Sequence, residues 1–186
     1  MVDSYKKYVE YYKADLKMTG ISERSFFFRF KDRRFKFYKS LRFTEYIINC
    51  HPGYKGFFAK IAGLKHTRLC NKYQWTIPPN VFGKGLSIVH IGTIVVSQNA
   101  RVGENCRIHV CVNIGNAISH GKSGAPILGD NVYIGPGAKI FGPIHIGDNV
   151  AIGANAVVNK SFEDNKTIAG VPARVISNKN SSPYIF

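Results

Sequence analysis

The sequence predicts a mainly β protein, a parallel β-helix of six-residue repeats that follows an N-terminal α-helical region. Two observations support this fold class. Aliphatic residues recur every six positions from about residue 80 onward, and a small or aliphatic residue follows most of them four places later. A step of six fits neither the 3.6-residue period of a helix nor the two-residue period of a half-buried strand. It fits a triangular coil with one short strand on each side, whose lead residues point into a shared core.

Residues 1–75 make up the predicted helical region. Tyr5, Val9, Tyr12 and Leu16 fall on one face at helical spacing. Later in the region, the stretch SFFFRFKDRRFKFYKSLRF interleaves aromatic and cationic residues. These features predict helices that cap the coil and present a basic, aromatic-rich surface.

Residues 76–176 make up the predicted coil, and residues 177–186 a C-terminal tail. The two series of lead residues are two positions out of phase, and the polar, glycine-rich residues 116–126 lie between them. We therefore expect this segment to be a loop expelled from the coil. A smaller slip, an insertion of two residues into the repeat, precedes the first series. His90 and His120 therefore both fall where the repeat is interrupted. The lead residues are Val96, Val102, Ile108 and Ile114, then Leu128, Ile134, Ile140, Ile146, Ile152 and Val158.

Charge is concentrated in the helical region. The chain has a net charge of +15, and residues 1–79 hold 17 Lys or Arg against 6 Asp or Glu. Such a surface could contact an anionic membrane from its cytoplasmic side. No readable nucleic-acid-binding motif accompanies it, so we expect no nucleic acid partner. A cytoplasmic location is expected, since no secretory signal or run of about 18 apolar residues is present and the four cysteines fit neither a disulfide framework nor a zinc site.

The segments GKGLSIVHIGTIVV, VGENCRIHVCVNIG, LGDNVYIGPGAKIFGPIHIGDNVAIGANAVVNKSFEDN and IAGVPARVI together resemble the hexapeptide-repeat acyltransferases. The similarity is greatest to the serine acetyltransferase-like branch, which includes O-acetyltransferases of bacterial surface polysaccharides. The resemblance implies a left-handed coil, acetyl-CoA as the acyl donor, no metal, and a homotrimer with active sites in the grooves between neighbouring coils.

The resemblance also implies that His90 is the general base. A hydroxyl is a poor nucleophile unless a base removes its proton as it attacks the thioester. An imidazole, with an ordinary pKa of about 6.5, can accept that proton at neutral pH. His109, Asn113 and His120 are candidates for acceptor binding or an auxiliary polar role. Positions that match the family's cofactor site are Gly135, Pro136, Ala154, Asn159, Lys160 and Arg174.

Three departures from the serine enzymes determine the predicted acceptor. Those enzymes have acidic residues where this chain has Val89 and Trp75, and an Arg-His pair where it has Gly124-Ala125. A zwitterion such as serine needs paired charges to leave water. The departures therefore predict transfer to a sugar hydroxyl of a capsular polysaccharide or exopolysaccharide, or of its precursor.

Three other functions remain open on the sequence. The nearest is a serine O-acetyltransferase of cysteine biosynthesis. A second is a non-catalytic binding or scaffold module that uses the basic region. A third is zinc catalysis through His90, His109 and His120, although the chain lacks the pair of histidines five apart that trimeric β-helix carbonic anhydrases carry.

Overall fold

The computed structural model describes residues 1–21, 31–50, 56–119 and 121–185. Four helices lie in these ranges: α1 (Tyr5–Met18), α2 (Arg33–Cys50), α3 (Phe57–Tyr73) and the short α4 (Ser182–Ile185). Helix α1 begins at the N-cap Ser4, whose Oγ accepts a hydrogen bond from the Lys7 backbone N–H at 3.2 Å. Helix α2 packs against both α1 and α3. Within the described ranges, none of the helices has the length and apolarity needed to cross a membrane.

Short strands make up the rest of the chain and form three sheets and one hairpin. The sheets run β1-β3-β6-β11-β14, β2-β5-β10-β13-β15-β16 and β4-β9-β12, and all their pairs are parallel except β15 with β16. The strands are β1 (Trp75–Thr76), β2 (Ser87–Ile88), β3 (Ile94–Val96), β4 (Arg101–Val102), β5 (Arg107–Ile108), β6 (Asn113–Gly115), β7 (Ala117–Ser119), β8 (Lys122–Gly124), β9 (Ile127–Leu128), β10 (Tyr133–Ile134), β11 (Lys139–Phe141), β12 (His145–Ile146), β13 (Ala151–Ile152), β14 (Val157–Val158), β15 (Thr167–Ala169) and β16 (Arg174–Ser177).

The register of the strands explains the six-residue step. Ile134 pairs with Ile152, three repeats later, so three sides make one turn of the coil. Ile108 pairs with Ile134, eight residues beyond one turn, because the antiparallel hairpin β7/β8 is inserted between them. Ile88 pairs with Ile108, two residues beyond one turn, because of the slip at His90. The predicted fold class, a left-handed parallel β-helix after an α-helical region, is confirmed.

One corner of the coil is built from asparagines in the left-handed backbone conformation. Asn105, Asn131, Asn149 and Asn165 have φ angles of 56°, 55°, 58° and 58°. This conformation is costly for most residues, but asparagine tolerates it. Their side-chain amides form a ladder of hydrogen bonds of 3.0, 2.9 and 3.1 Å from each turn to the next. The asparagines that end the repeated Gly-Glu-Asn, Gly-Asp-Asn and Glu-Asp-Asn triplets therefore stack successive turns at this corner.

A buried ion network fixes the helical region to the coil. Arg42 of α2 donates to both carboxylate oxygens of Asp15 in α1, at 2.8 and 3.1 Å, and to Glu45 at 3.0 Å. The same guanidinium donates to the carbonyls of Phe82 and Gly83 at 2.9 and 2.6 Å, next to β2. Asp15 in turn accepts the backbone N–H groups of residues 85 and 86. Three elements therefore meet at one guanidinium.

The network predicts a large effect of removing its cation. Arg42 and Asp15 have fully buried side chains, so Arg42→Met leaves two carboxylates and two carbonyls in the interior without their partner. We expect the free energy of unfolding to fall by about 3–5 kcal/mol, measured by urea denaturation. The matched control is Arg68→Met, which replaces an exposed arginine on α3. A loss within about 1 kcal/mol of the control would contradict the assigned role of the network.

Candidate active site

His90 lies between β2 and β3, at the point where the coil has its two-residue slip. Its side chain is exposed, and the preceding residue is tied to the next turn by a hydrogen bond of 3.1 Å from the Val89 N–H to the Ile108 carbonyl. The slip therefore turns His90 out of the wall of the coil while the backbone beside it stays in register. This position makes the imidazole available to a ligand.

A pocket of about 450 Å³ opens beside His90. Its walls come from two distant parts of the chain, the segment at His90 and the start of α2. Arg34 of α2 also approaches the Ile88 carbonyl at 3.5 Å, which joins the two walls. The lining residues are Lys31, Asp32, Arg33, Arg34, Val89, His90 and Ile91.

Asp32 and Arg34 form a tight ion pair in this pocket. Arg34 donates from Nη2 to Oδ2 at 2.8 Å and from Nε to Oδ1 at 3.1 Å, and its backbone N–H donates to Oδ1 at 2.9 Å. The two side chains are only 17% and 10% exposed. The hydrogen bond to Asp32 raises the pKa of the Arg34 guanidinium, which favours its charged form. The pocket thus offers fixed charges of both signs next to the imidazole.

The sequence analysis did not assign these residues to the site. Arg34 lies 54 positions before Ile88, and no repeat or spacing links the two segments. The run Lys31–Arg34 was visible as a cluster of charges, but only the packing of α2 against the coil places it at His90.

His109 lies one turn from His90 on the same sheet, because β2 pairs with β5 in register. Its ring centroid is 6.0 Å from that of His90 and 5.2 Å from that of Tyr133 on the following turn. Its Nε2 atom is buried without a hydrogen-bond partner among the described residues. Burial, Arg107 and His90 in that order lower the pKa of His109, which favours the neutral ring.

The other candidate auxiliary residues are not brought to His90. Asn113 is exposed in β6, which belongs to a different sheet from β2 and β5. His120 lies outside the described residues. Within the described ranges, no group of three or more His, Cys, Asp or Glu side chains could hold a metal ion.

The candidate cofactor residues Gly135, Pro136 and Ala154 follow β10 and β13, the strands next to β5 in the same sheet. His90 and His109 also follow strands of this sheet, so all five residues lie along one edge of the coil. A Cβ on Gly135 would lie 2.8 Å from the Ala154 nitrogen, so only glycine permits the observed approach of the two turns. This edge therefore carries His90 and His109 on two successive turns, and the closely packed Gly135 and Ala154 on the next two.

Asn159, Lys160 and Arg174 lie further toward the end of the coil. Asn159 and Lys160 are exposed after β14, where the Lys160 ammonium lies 5.5 Å from the centre of the Phe162 ring. Arg174 is exposed at the start of β16, which pairs with β15 at the end of the same sheet. These two cations flank the last turns, beyond Ala154 as counted from His90.

Trp75 and Gly124-Ala125, the other departures from the serine enzymes, lie away from the pocket. Trp75 is fully buried, with its ring centroid 5.0 Å from that of Phe37. Gly124 ends β8 and Ala125 packs against the core of the coil. Trp75 therefore has a packing role in the core.

The chain is similar to known proteins in sequence and in fold. The family described as bacterial transferase hexapeptide (six repeats) matches residues 125–160. The resemblance to the hexapeptide-repeat acyltransferases, in the serine acetyltransferase-like branch, is confirmed. A serine acetyltransferase of Mycobacterium tuberculosis (strain ATCC 25618 / H37Rv) is 40% identical over 106 residues, 57% of this chain. The chain spans 46% of that acyltransferase's own length.

Solved structures of hexapeptide-repeat acyltransferases match over a larger share of the chain. A serine acetyltransferase from Brucella abortus strain S19 is 29% identical, with a TM-score of 0.73, and the match covers 95% of this chain and 72% of that one. The same enzyme in complex with coenzyme A has a TM-score of 0.74 at 29% identity, over 95% of this chain and 70% of that one.

The predicted sugar acceptor is wrong, and with it the assignment to capsule or polysaccharide biosynthesis. The relatives and the structural neighbours are serine acetyltransferases, which favours the alternative function in cysteine biosynthesis. The physical premise behind the error was that the site lacks charges for a zwitterion. That premise fails because Asp32 and Arg34 of the helical region supply both signs beside His90.

The environment of His109 predicts its titration. In the folded protein its pKa is lowered, so the native state binds fewer protons and this site's contribution to stability decreases as the pH falls below about 6.5. Arg107→Gln removes one of the two charges that lower it, so we expect the His109 resonance in an NMR titration to shift to a higher midpoint. Arg174→Gln, an exposed control, should leave the midpoint in place. Equal midpoints in the wild type and Arg107→Gln would contradict this account.

Proposed function

We propose that the protein is an acetyl-CoA-dependent O-acetyltransferase whose acceptor is the hydroxyl group of serine. The observation that carries the proposal is the single edge of the coil on which His90, His109, Gly135 and Ala154 follow paired strands. Successive turns of such a coil are about 4.8 Å apart. An extended donor arm lying along this edge would bring its thioester to the turn that presents His90.

Each proton transfer in the proposed reaction has a donor and an acceptor. The His90 imidazole takes the proton of the acceptor hydroxyl as the oxygen attacks the thioester carbonyl. The carbonyl oxygen becomes an oxyanion, for which backbone N–H groups are the expected donors. The C–S bond then breaks, and the imidazolium returns the proton to the departing thiolate of coenzyme A.

The cofactor positions fit the chemistry of the donor. Pro136 and Ala154 are exposed along the edge and would offer backbone groups to the donor arm, and the absence of a side chain at Gly135 lets the two turns pack closely beside them. Lys160 and Arg174 provide cations near the last turns, and cations suit the phosphate groups of coenzyme A. Asn159 is assigned to the same end of the donor. No metal takes part in the proposed reaction.

The pocket beside His90 is the proposed acceptor site. Serine carries one positive and one negative charge, and both must find partners when the molecule leaves water. Arg34 and its cationic neighbours Lys31 and Arg33 can meet the carboxylate, and Asp32 can meet the ammonium group. The Asp32–Arg34 pair would then hold serine with its hydroxyl toward His90.

We also propose that the protein is a cytoplasmic homotrimer. His90 and the corner that follows β10 and β13 are open to solvent in the single chain, and a neighbouring coil would close this side of the pocket. Contact with an anionic membrane is proposed for the helical region, where the excess of Lys and Arg is concentrated.

The general-base assignment predicts the effect of His90→Ala. We expect kcat for coenzyme A release to fall by a factor of about 100 or more, because the hydroxyl loses its proton acceptor. Light scattering should show that the variant keeps the trimer. The control is His145→Ala, which removes an exposed histidine from another side of the coil. Unchanged kcat in His90→Ala would refute the mechanism.

The acceptor site predicts a change in KM for serine alone. Asp32→Asn and Arg34→Gln each remove one charge that would meet serine, and a lost charged hydrogen bond of about 1.5–3 kcal/mol corresponds to roughly a 10- to 100-fold rise in KM. The KM for acetyl-CoA should stay within about twofold of wild type. Arg68→Gln serves as the control for loss of a cation on a helix. A parallel rise in both KM values would point to misfolding of the pocket instead, and an unchanged serine KM would refute the site.

A further inference from the structure

A second cavity lies between α2 and α3 and is not part of the proposed acceptor or cofactor site. It is a groove of about 520 Å³. Phe43 of α2 and Phe58 and Ile61 of α3 contribute its apolar surface, and Lys36, Lys39 and Lys65 stand along its rim. The groove therefore combines an apolar floor with a cationic border.

The apolar side chains of this groove are unusually open to solvent. Phe43 is 44%, Phe58 52% and Ile61 48% exposed. On α3 the surface continues through Phe57 and Leu64, which are 69% and 60% exposed. Single exposed apolar residues are ordinary, but a contiguous patch of this kind marks a contact with another apolar phase or molecule.

The charges around the groove decide between its possible occupants. No Asp or Glu side chain is among the residues that line it, whereas three lysines are. A second copy of this chain docked through the same face would place lysines against lysines, a destabilising arrangement of like charges. The chemistry that fits is an apolar body joined to an anionic group, which is the chemistry of an anionic phospholipid.

We propose that this groove is the membrane-docking site of the protein, with Phe58 and Ile61 inserted among the lipid chains and the three lysines at the anionic headgroups. The inference rests on the membrane contact proposed above and names the surface that makes it. Apolar insertion and attraction to anionic lipid are the two contributions that together hold a peripheral protein at a bilayer. Helix α2 contributes one wall of this groove and, at its start, Arg34 of the acceptor pocket.

The first test is co-sedimentation of the full-length chain with vesicles of phosphatidylcholine, alone or with phosphatidylglycerol. We expect the wild type to bind the mixed vesicles in a salt-sensitive manner. Phe58→Ser/Ile61→Ser should bind them at least about tenfold more weakly, because two inserted side chains are lost. The matched control is Ile118→Ser/Ile176→Ser, which replaces two exposed apolar residues outside the groove, 78% and 65% exposed.

The second test removes charge and keeps the apolar floor. Lys36→Gln/Lys39→Gln/Lys65→Gln should weaken binding to the mixed vesicles by about tenfold or more. The control Lys13→Gln/Lys72→Gln/Lys179→Gln removes the same net charge from other exposed positions and should have a smaller effect. Because these substitutions lie on the surface, they test the site even where the Phe58 variant is less stable.

The possible outcomes distinguish the groove as the lipid-binding site from the membrane contact on which it rests. A wild type without preference for phosphatidylglycerol would refute the membrane contact itself. A wild type with that preference, but with groove and control variants equal in binding, would refute the groove as the site and leave the contact in place. A decrease in oligomeric state of the groove variants in light scattering would identify a self-association face and overturn the lipid inference.

Discussion

The buried guanidinium of Arg42 is the constraint on which the arrangement of the molecule depends. It joins α1, α2 and the segment before β2 through charged hydrogen bonds, and its carboxylate partners Asp15 and Glu45 are buried. A buried ion pair contributes little net stability relative to apolar packing, but it requires a specific geometry of its partners. Here the geometry it fixes is the position of α2 against the coil. The start of α2 forms one wall of the pocket beside His90, so the shape of that pocket follows from a contact outside it.

The coil provides the other half of the site through its register. Each turn repeats the backbone of the one before, so a residue that follows one strand of a sheet lies above the residue that follows the next. The His90 imidazole and the closely packed turns at Gly135 and Ala154 can therefore share one side of the protein without any loop having to reach between them. The slip at His90 is the one departure that this arrangement needs, since it turns the ring outward.

The sequence predicted the coil and the interruption of its repeat at His90, but not the pocket. Residues such as Ile134 and Ile152 follow the six-residue step because each turn of the coil imposes the same steric requirements. A short stretch of sequence is therefore enough to reveal the step. The location of His90 at a slip was visible for the same reason. The proximity of Asp32 and Arg34 to His90 was not visible in the sequence, because it depends on how a helix packs against a coil more than fifty residues away in the chain. Val89 indicated a site without charge, whereas Asp32 and Arg34 line the same pocket from another part of the chain.

That error has a general physical basis. A binding site needs charges at positions in space, and a fold can supply them from any segment that reaches those positions. Within the coil, the turn after β2 is such a segment, and Val89 carries no charge there. The start of α2 is another, and its charges are fixed by a bidentate ion pair that is itself largely buried. If the helical region supplies acceptor recognition, then substitutions that loosen its docking at Arg42 change serine affinity before they change donor affinity. The acceptor and donor sites would thus depend on different interactions, the first on the packing of α2 and the second on the register of the coil alone.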